Sequence, residues 1–360
     1  MSRSKIQKLA LATAATLGAA SLAACGGTSA VSGSDATAAS SAVVPLTLYA
    51  AEGYDSSVPK AFTVATGIPV TVDDDSTGPL LTKISAEGAN GKWSMLWVDG
   101  DTAFAALDKQ GLLAPYTPKA NYTAAGQRLV PADHSYVPTG TTAMAAVIYN
   151  AAKVTAVPKT YQDLEGAAYA GKVGMNDPSQ SGPTFPFIAG IMNQLGGQAN
   201  GVAAGEAFFS KLKANGLHVF PTNGDTLHAL ETGQIDYGLI QSSAAAGEVL
   251  KTKATASFKP AVTYLPLSTL LPSVIGIDKA DSPQVRKEAQ EFIDFIFTAK
   301  GQAAMQAGDP QGDSLYWPIV TGTNPLPGAG ALPVQIQHID PAFWGPQENQ
   351  INSWFDANIK

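Results

Sequence analysis

The 360-residue sequence predicts an α/β fold arranged as two lobes, and three observations carry the prediction. Short apolar runs bounded by turn residues, Leu46 to Ala50, Val70 to Val72, Met95 to Val98, Val173 to Met175 and Ile235 to Ile240, alternate with helical stretches, which is the pattern of an α/β sheet. Roughly 315 residues follow residue 44, more than one core usually organises. Two extended stretches without helical period, Val137 to Asn150 and Val262 to Ile277, read as crossings between lobes, the second interrupted by Pro266 and Pro272. One lobe then holds 45–140 plus 265–360 and the other holds 141–264.

Taken in order, the chain opens with Arg3, Lys5 and Lys8, an apolar stretch from Leu9 to Ala20, and the small-residue run Leu22-Ala23-Ala24 before Cys25. A positive region, a short apolar region and a small-residue cleavage site make 1–24 a signal peptide, too short to span a membrane. Cys25 is the sole cysteine, and its place after those residues resembles the lipobox of bacterial lipoproteins, where the thiol is acylated. With no second cysteine there is no disulfide. Gly, Ser, Thr, Ala and Val dominate up to Val44, a composition that buries too little apolar surface to order itself, so 25–44 is a lipidated cysteine with a flexible tether. The first helix is delimited by Ser56 or Ser57 as its cap, Pro59 in its first turn, and Gly67 with Pro69 at its end. A late helix opens at Ser282-Pro283, carries Val285, Ala289, Phe292, Ile293 and Ile296 at helical spacing, and is expected to stop around Lys300-Gly301.

Composition excludes several classes. Hydrophobic residues make up 45% and charged residues 14%, an ordinary globular balance, and the net charge of −7 argues against nucleic acid. No later apolar run reaches the ~20 residues of a membrane span, which leaves the lipid as the sole membrane contact. For an enzyme, Ser210-Lys211-Leu212-Lys213 matches S-x-x-K but lacks its companion motifs, and G-x-S-x-G, H-E-x-x-H and the P-loop pattern are missing. Gly328-Ala329-Gly330 follows prolines, not a strand, and reads as a loop.

The order of LTLYAAEGYDSSVPKAF, TGIPV, STGPLLTKI, MLWVDGD, AVIYN, KTYQDLEGAAYAGKVGMNDPSQSG, GQIDYGLI and EFIDFIFTAKGQAAM resembles the type II periplasmic solute-binding proteins of the ferric-iron, polyamine and 2-aminoethylphosphonate branch. The resemblance covers essentially the whole chain after the tether. It implies a two-lobed Venus-flytrap fold, a small-molecule ligand in the cleft and docking to an ABC permease; no cofactor is expected, and the chain is expected as a monomer, a membrane-attached lipoprotein at the periplasm or cell surface. The ferric members carry paired tyrosines after the strand that here ends at Ile240, where this chain has Gln241-Ser242-Ser243. His134, His218, His228 and His338 show no ligand spacing either, so no metal site is expected.

Two similar turns are the best candidates for ligand contact: Ser76-Thr77-Gly78-Pro79, and Ser179 with Ser181-Gly182-Pro183-Thr184. Each follows an expected strand and precedes a helix, where open α/β sheets bind ligands and where unpaired N–H groups favour anions. The competing reading is that these hydroxyls only cap helices. Arg3, Arg128 and Arg286 are the only arginines, so an oxyanion would be held by hydroxyl and backbone dipoles, a lysine contribution staying open. Glu52 with Tyr54, and Asp99 with Asp101, follow strands and suit an ammonium group, though Glu52 could be solvated and Asp101 could cap a helix. The Asp73-Asp74-Asp75 run is expected as a solvated loop with one pocket contact at most. The expected cleft therefore holds Glu52, Tyr54, Ser76, Thr77, Gly78, Asp99, Ser179, Ser181, Gly182, Thr184, Gln241 and Ser242, around a small zwitterion with an oxyanion, best named as 2-aminoethylphosphonate. The alternatives are a ferric-ion or polyamine binder of the same fold, and a hydrolase.

Overall fold

The computed structural model describes residues 43–360. The signal-peptide reading, Cys25 and all but the end of the tether lie outside the described residues.

In chain order the elements are β1 (Leu46–Ala50), α1 (Ser57–Thr66), β2 (Val70–Asp74), α2 (Thr77–Glu87), β3 (Met95–Asp99), α3 (Asp101–Lys109), β4 (Leu113–Ala114), α4 (Ala124–Gln127), β5 (Val137–Asn150), β6 (Val173–Asn176), α5 (Thr184–Ala214), β7 (His218–Phe220), α6 (Asn223–Thr232), β8 (Tyr237–Ile240), α7 (Ser242–Lys251), β9 (Pro260–Asp278), α8 (Pro283–Ile296), α9 (Ala299–Gly308), β10 (Ile336–Gln337), α10 (Pro341–Trp344) and α11 (Glu348–Asn358). The strands form one open sheet in the order β2-β1-β3-β9-β5-β8-β6-β7. Its two flanks, β2-β1-β3 and β8-β6-β7, are parallel, and the long antiparallel pair β5 and β9 joins them. Those two strands are the stretches read as crossings. Their ladder is interrupted between Met144 and Ala146, where β9 jumps from Thr269 to Tyr264, so the two halves of the ladder meet at an irregularity.

Each flank buries both faces, as a parallel sheet must when helices cover it on both sides. Leu46, Leu48 and Trp97 pack under α1 and α8 on one face of the first flank, while Tyr49, Leu96 and Val98 pack under α2 and α3 on the other. In the second flank Met175 and Leu239 face α5, and Ile148 and Ile240 face α6 and α7.

Three boundaries differ from expectation. The late helix ends at Ile296, and Thr298, accepting from the Gly301 N–H at 3.1 Å, caps a separate α9. Gly301 is needed there, because a Cβ would meet the Phe295 carbonyl at 2.0 Å. The helix after Ser181, which the Gly196-Gly197 pair is expected to end, does break at Gly197 (φ 60°, ψ −161°) but resumes to Ala214. Finally, 265–360 does not all pack with the first lobe: Ile339, Trp344, Ile351, Phe355 and Ile359 enter the core around α5.

Candidate ligand-binding cleft

The carboxyl ends of β1, β2, β3 and β8 and the amino ends of α1, α2, α5, α6 and α7 converge on one cavity of about 580 Å³. This is the position at which an open α/β sheet leaves a crevice, and the volume lies in the usual range for small-molecule sites. The wall carries six carboxylates, Glu52, Asp55, Asp74, Asp75, Asp99 and Asp313, and among its lining residues there is no Lys, Arg or His.

Glu52 leaves β1 and is 3% exposed; its Oε1 accepts from the Ser273 hydroxyl at 2.5 Å. Asp99, at the end of β3, accepts at Oδ2 from the Gln241 amide at 2.5 Å, while its Oδ1 is buried without a donor. Asp55 Oδ2 is likewise buried without a donor. Asp313 accepts from the Gly53 N–H at 2.9 Å and from the Ser243 hydroxyl at 3.1 Å. Burial first, then the charges of Asp99 and Asp313, hold Glu52 well above the usual carboxylate range. Asp99 is raised for the same reasons, burial and then Asp313. Burial, reinforced by Asp74 and Asp313, pushes Asp55 up to about 7. Carboxylates crowded out of water without countercharges resist ionisation, and a cation among them restores their charge.

The same cavity is lined by hydroxyl donors. Ser76 stands at the amino end of α2 without a side-chain capping bond, so its hydroxyl is not spent on the helix. The Ser181 Oγ accepts from the Asn176 amide at 3.2 Å, which leaves its own proton to give. Around the rim the two lobes touch: Gly78 N–H donates to the Gln180 carbonyl at 3.2 Å, and Gln241 and Ser243 reach Asp99 and Asp313.

Of the residues expected in the cleft, Glu52, Ser76, Thr77, Asp99, Ser181, Gly182 and Gln241 line the cavity. The others do not. Tyr54 lies in the core against Trp97 and Tyr316, its hydroxyl on Ser273 Oγ at 3.0 Å, because the turn after β1 curls back over the sheet. Ser179 donates to Asp177 and accepts from Lys360, turned toward the carboxyl terminus. Gly78 presents backbone to the partner lobe, Thr184 is buried in the first turn of α5, and Ser242 accepts from the Ala143 N–H at 3.0 Å. Asp101 is no N-cap: Gly100 holds that place, and Asp101 bonds His338 Nε2 at 2.7 Å. Glu52 is buried, not solvated, and of the aspartate run Asp73 pairs with Lys83 whereas both Asp74 and Asp75 reach the cavity mouth.

Asp55, Asp313 and the Thr222-Asn223-Gly224 turn were not legible as site residues. The turn does carry a signal: Thr222 and Asp225 form a capping box, which marks a helix start after a strand. Asp313 carries none, since it meets Gly53 from 260 residues away. A larger gap of about 870 Å³ lies between α2, α3 and α11, with Glu348 on its wall, but it lacks the convergent carboxylates.

Residues 58–327 match the family described as bacterial extracellular solute-binding protein. Among solved structures, iron-bound HitA from Pseudomonas aeruginosa superposes with a TM-score of 0.70 at 22% identity, covering 87% of this chain and 99% of that one. A periplasmic thiamin binding protein gives 0.69 at 20% identity over 88% and 97%. A GABA receptor gives 0.67 at 17% identity over 87% and 97%. At such identities the superpositions establish a shared fold, the two-lobed architecture of periplasmic binding proteins. The chain belongs to the bacterial extracellular solute-binding proteins.

Proposed function

We propose that this chain is the extracytoplasmic receptor of an importer for a small organic cation, whose ammonium group sits between Glu52, Asp99 and Asp313. The observation that carries the reading is the pair of buried acceptors without donors, Asp99 Oδ1 and Asp55 Oδ2, in a wall that offers no cationic side chain. A buried acceptor left unpaired costs about 1–3 kcal/mol, so a ligand that brings N–H groups gains what the protein alone leaves unsatisfied. Charge-assisted N–H···O⁻ bonds in a closed cleft are the strong kind.

The zwitterion expected from the sequence keeps its amine half. Ser76, Thr77 and Ser181 can still hold an oxygen-bearing tail, but a phosphonate dianion near Asp74 and Asp75 would meet repulsion with no lysine or arginine to offset it. An amine or polyamine therefore fits better than 2-aminoethylphosphonate. Ferric ion fits less well, because among the described residues no group of three or more His, Cys, Asp or Glu side chains is placed to hold a metal ion. The fold itself does not decide, since its members serve different ligands.

Thermal shift of the purified protein tests this with butane-1,4-diamine, spermidine, 2-aminoethylphosphonate, ethylphosphonate and ferric citrate. The amines are expected to raise the melting temperature, a ligand at 100 times its Kd adding ~2.7 kcal/mol. Ethylphosphonate stabilising as well as its amine-bearing counterpart would remove the cation reading. Acylation of Cys25 is part of the same proposal: Cys25→Ser should lose fatty-acid label in cells while keeping ligand affinity.

A further inference from the structure

Behind Glu52 runs a chain of buried hydrogen bonds that ends on its carboxylate. Trp97 Nε1 donates to Thr139 Oγ1 at 3.1 Å. An indole nitrogen only donates, so Thr139 accepts there and must send its own proton onward. It has two acceptors, the Ser273 carbonyl and the Ser273 Oγ, both at 3.2 Å. Tyr54 reaches the same Oγ at 3.0 Å. The Ser273 hydroxyl gives its single proton to Glu52 Oε1 at 2.5 Å, which leaves its oxygen free to accept from Thr139 or Tyr54. Trp97, Thr139, Ser273, Tyr54 and Glu52 are all 3% exposed or less, so water does not compete for these bonds.

Backbone placement explains why the relay exists. Thr139 lies at a β-bulge: Pro138 pairs with Val274 and Gly140 with Ser273, and Thr139 is the residue left over. A bulge re-aims a side chain, here toward Trp97 and Ser273. Ser273 itself is on β9, one of the two strands that join the lobes, and stands directly across from Asp99 on β3.

We propose that Ser273 is the positioning residue of the cleft, a hydroxyl on the crossing strand that orients the Glu52 carboxylate and favours its ionised form for an incoming ammonium group. This rests on the cation reading of the cleft. While donating to Glu52, the Ser273 oxygen lies within reach of the Thr139 and Tyr54 hydroxyls, and a donor that itself accepts is polarised, which strengthens the last bond. The groups facing Glu52 are otherwise Asp99 and Asp313, which oppose its ionisation, and Tyr54 from its own turn, whose hydroxyl favours it. Ser273 is the counterweight supplied by β9.

The test is carboxyl ¹³C NMR titration of the ligand-free protein, with Glu52 assigned by Glu52→Gln, beside calorimetry with butane-1,4-diamine at pH 7.5. In Ser273→Ala, Glu52 is expected to titrate at higher pH than in the wild type, and diamine affinity to fall at least tenfold, the loss of one hydrogen bond to a charged group. Ser273→Thr restores both. Thr139→Val, which leaves the last bond in place but removes the donor behind it, shifts the titration in the same direction by less, and decides the matter should Ser273→Ala not fold. A Glu52 titration unchanged in both variants overturns the proposal, even if melting temperatures fall. If the wild-type protein binds no diamine, the cation reading fails, while the titration still decides the relay.

Discussion

Asp99 accepts a hydrogen bond at one carboxylate oxygen and leaves the other buried and empty-handed, and that asymmetry makes it the sharpest probe of the cleft. Asparagine at this position keeps the shape, removes the charge and brings a donor where a ligand's donor is expected. Asp99→Asn should weaken butane-1,4-diamine binding roughly 10- to 150-fold, the span of a hydrogen bond to a charged partner, measured by calorimetry. The same change should raise the melting temperature of the free protein at pH 8 by ~2 °C, because an uncompensated buried carboxylate no longer has to ionise. Loss of affinity together with loss of stability would mean that Asp99 is structural. Glu52 and Asp99 were legible because each follows an apolar run directly, and the carboxyl end of a strand is where ligands sit. Tyr54 was misread for a reason of geometry: sequence places it two residues beyond Glu52 but cannot show that the turn folds it onto Trp97. Ser273, in the middle of an apolar strand, gave no sign of holding Glu52, since its partners come from β5 and from the turn after β1, both far away in sequence.

Two glycines govern how closely the elements around the cleft approach. A Cβ on Gly78 would meet the Ser179 carbonyl at 2.0 Å, and one on Gly182 would meet Thr77 Oγ1 at 2.3 Å. The first obstacle is backbone from the other lobe, and the second includes the Thr77 Cβ at 2.6 Å, which no rotation moves, so neither yields without a backbone shift. Gly78 lies inside α2, where alanine is favoured by about 1 kcal/mol in helix propensity. Gly78→Ala should therefore leave the free protein as stable as before, yet weaken ligand binding about tenfold by opposing the closed contact. Small-angle scattering at ligand saturation should give a larger radius of gyration for this variant than for the wild type. An equal radius and equal affinity would show that the Gly78–Gln180 contact does not form on closure. The first helix, the crossing strands and the start of α8 were legible from caps and periodicity. The second half of α5 was not, because its Gly- and Ala-rich sequence dilutes the apolar period, and α9 was not, because its one mark, the capping Thr298, directly follows the apolar run that ends at Phe297.

At the scale of the whole molecule, the cleft makes stability and ligand binding respond to pH in opposite ways. Asp55 rises from an ordinary 3.8 to about 7, and Glu52, Asp99 and Asp313 are raised as well, burial being the first cause in each case. For an acid whose folded pKa is raised, its contribution to stability is fully present below the ordinary value and is lost as pH climbs through the folded one. For Asp55 that window runs from 3.8 to about 7. His338 acts with the same sign: burial alone would lower it, but Asp101 and Asp340 raise it above 6.5, so its ion pair with Asp101 is present below that value and lost as pH climbs through the raised one. Asp133 and Asp163 are lowered, which puts their windows below 3.8 and outside the range of interest. The net charge of −7 adds repulsion that also grows with pH. The free protein should therefore melt at a higher temperature at pH 5.5 than at pH 8. A bound diamine needs the carboxylates ionised, so the stabilisation it adds should be largest at pH 8 and shrink toward pH 5.5, narrowing or inverting the slope. Scanning calorimetry across this range, with and without butane-1,4-diamine, checks both halves. A free protein that gains stability as pH rises would show that the cleft carboxylates are ionised and compensated without any ligand, and the case for a cationic solute would fall with that result.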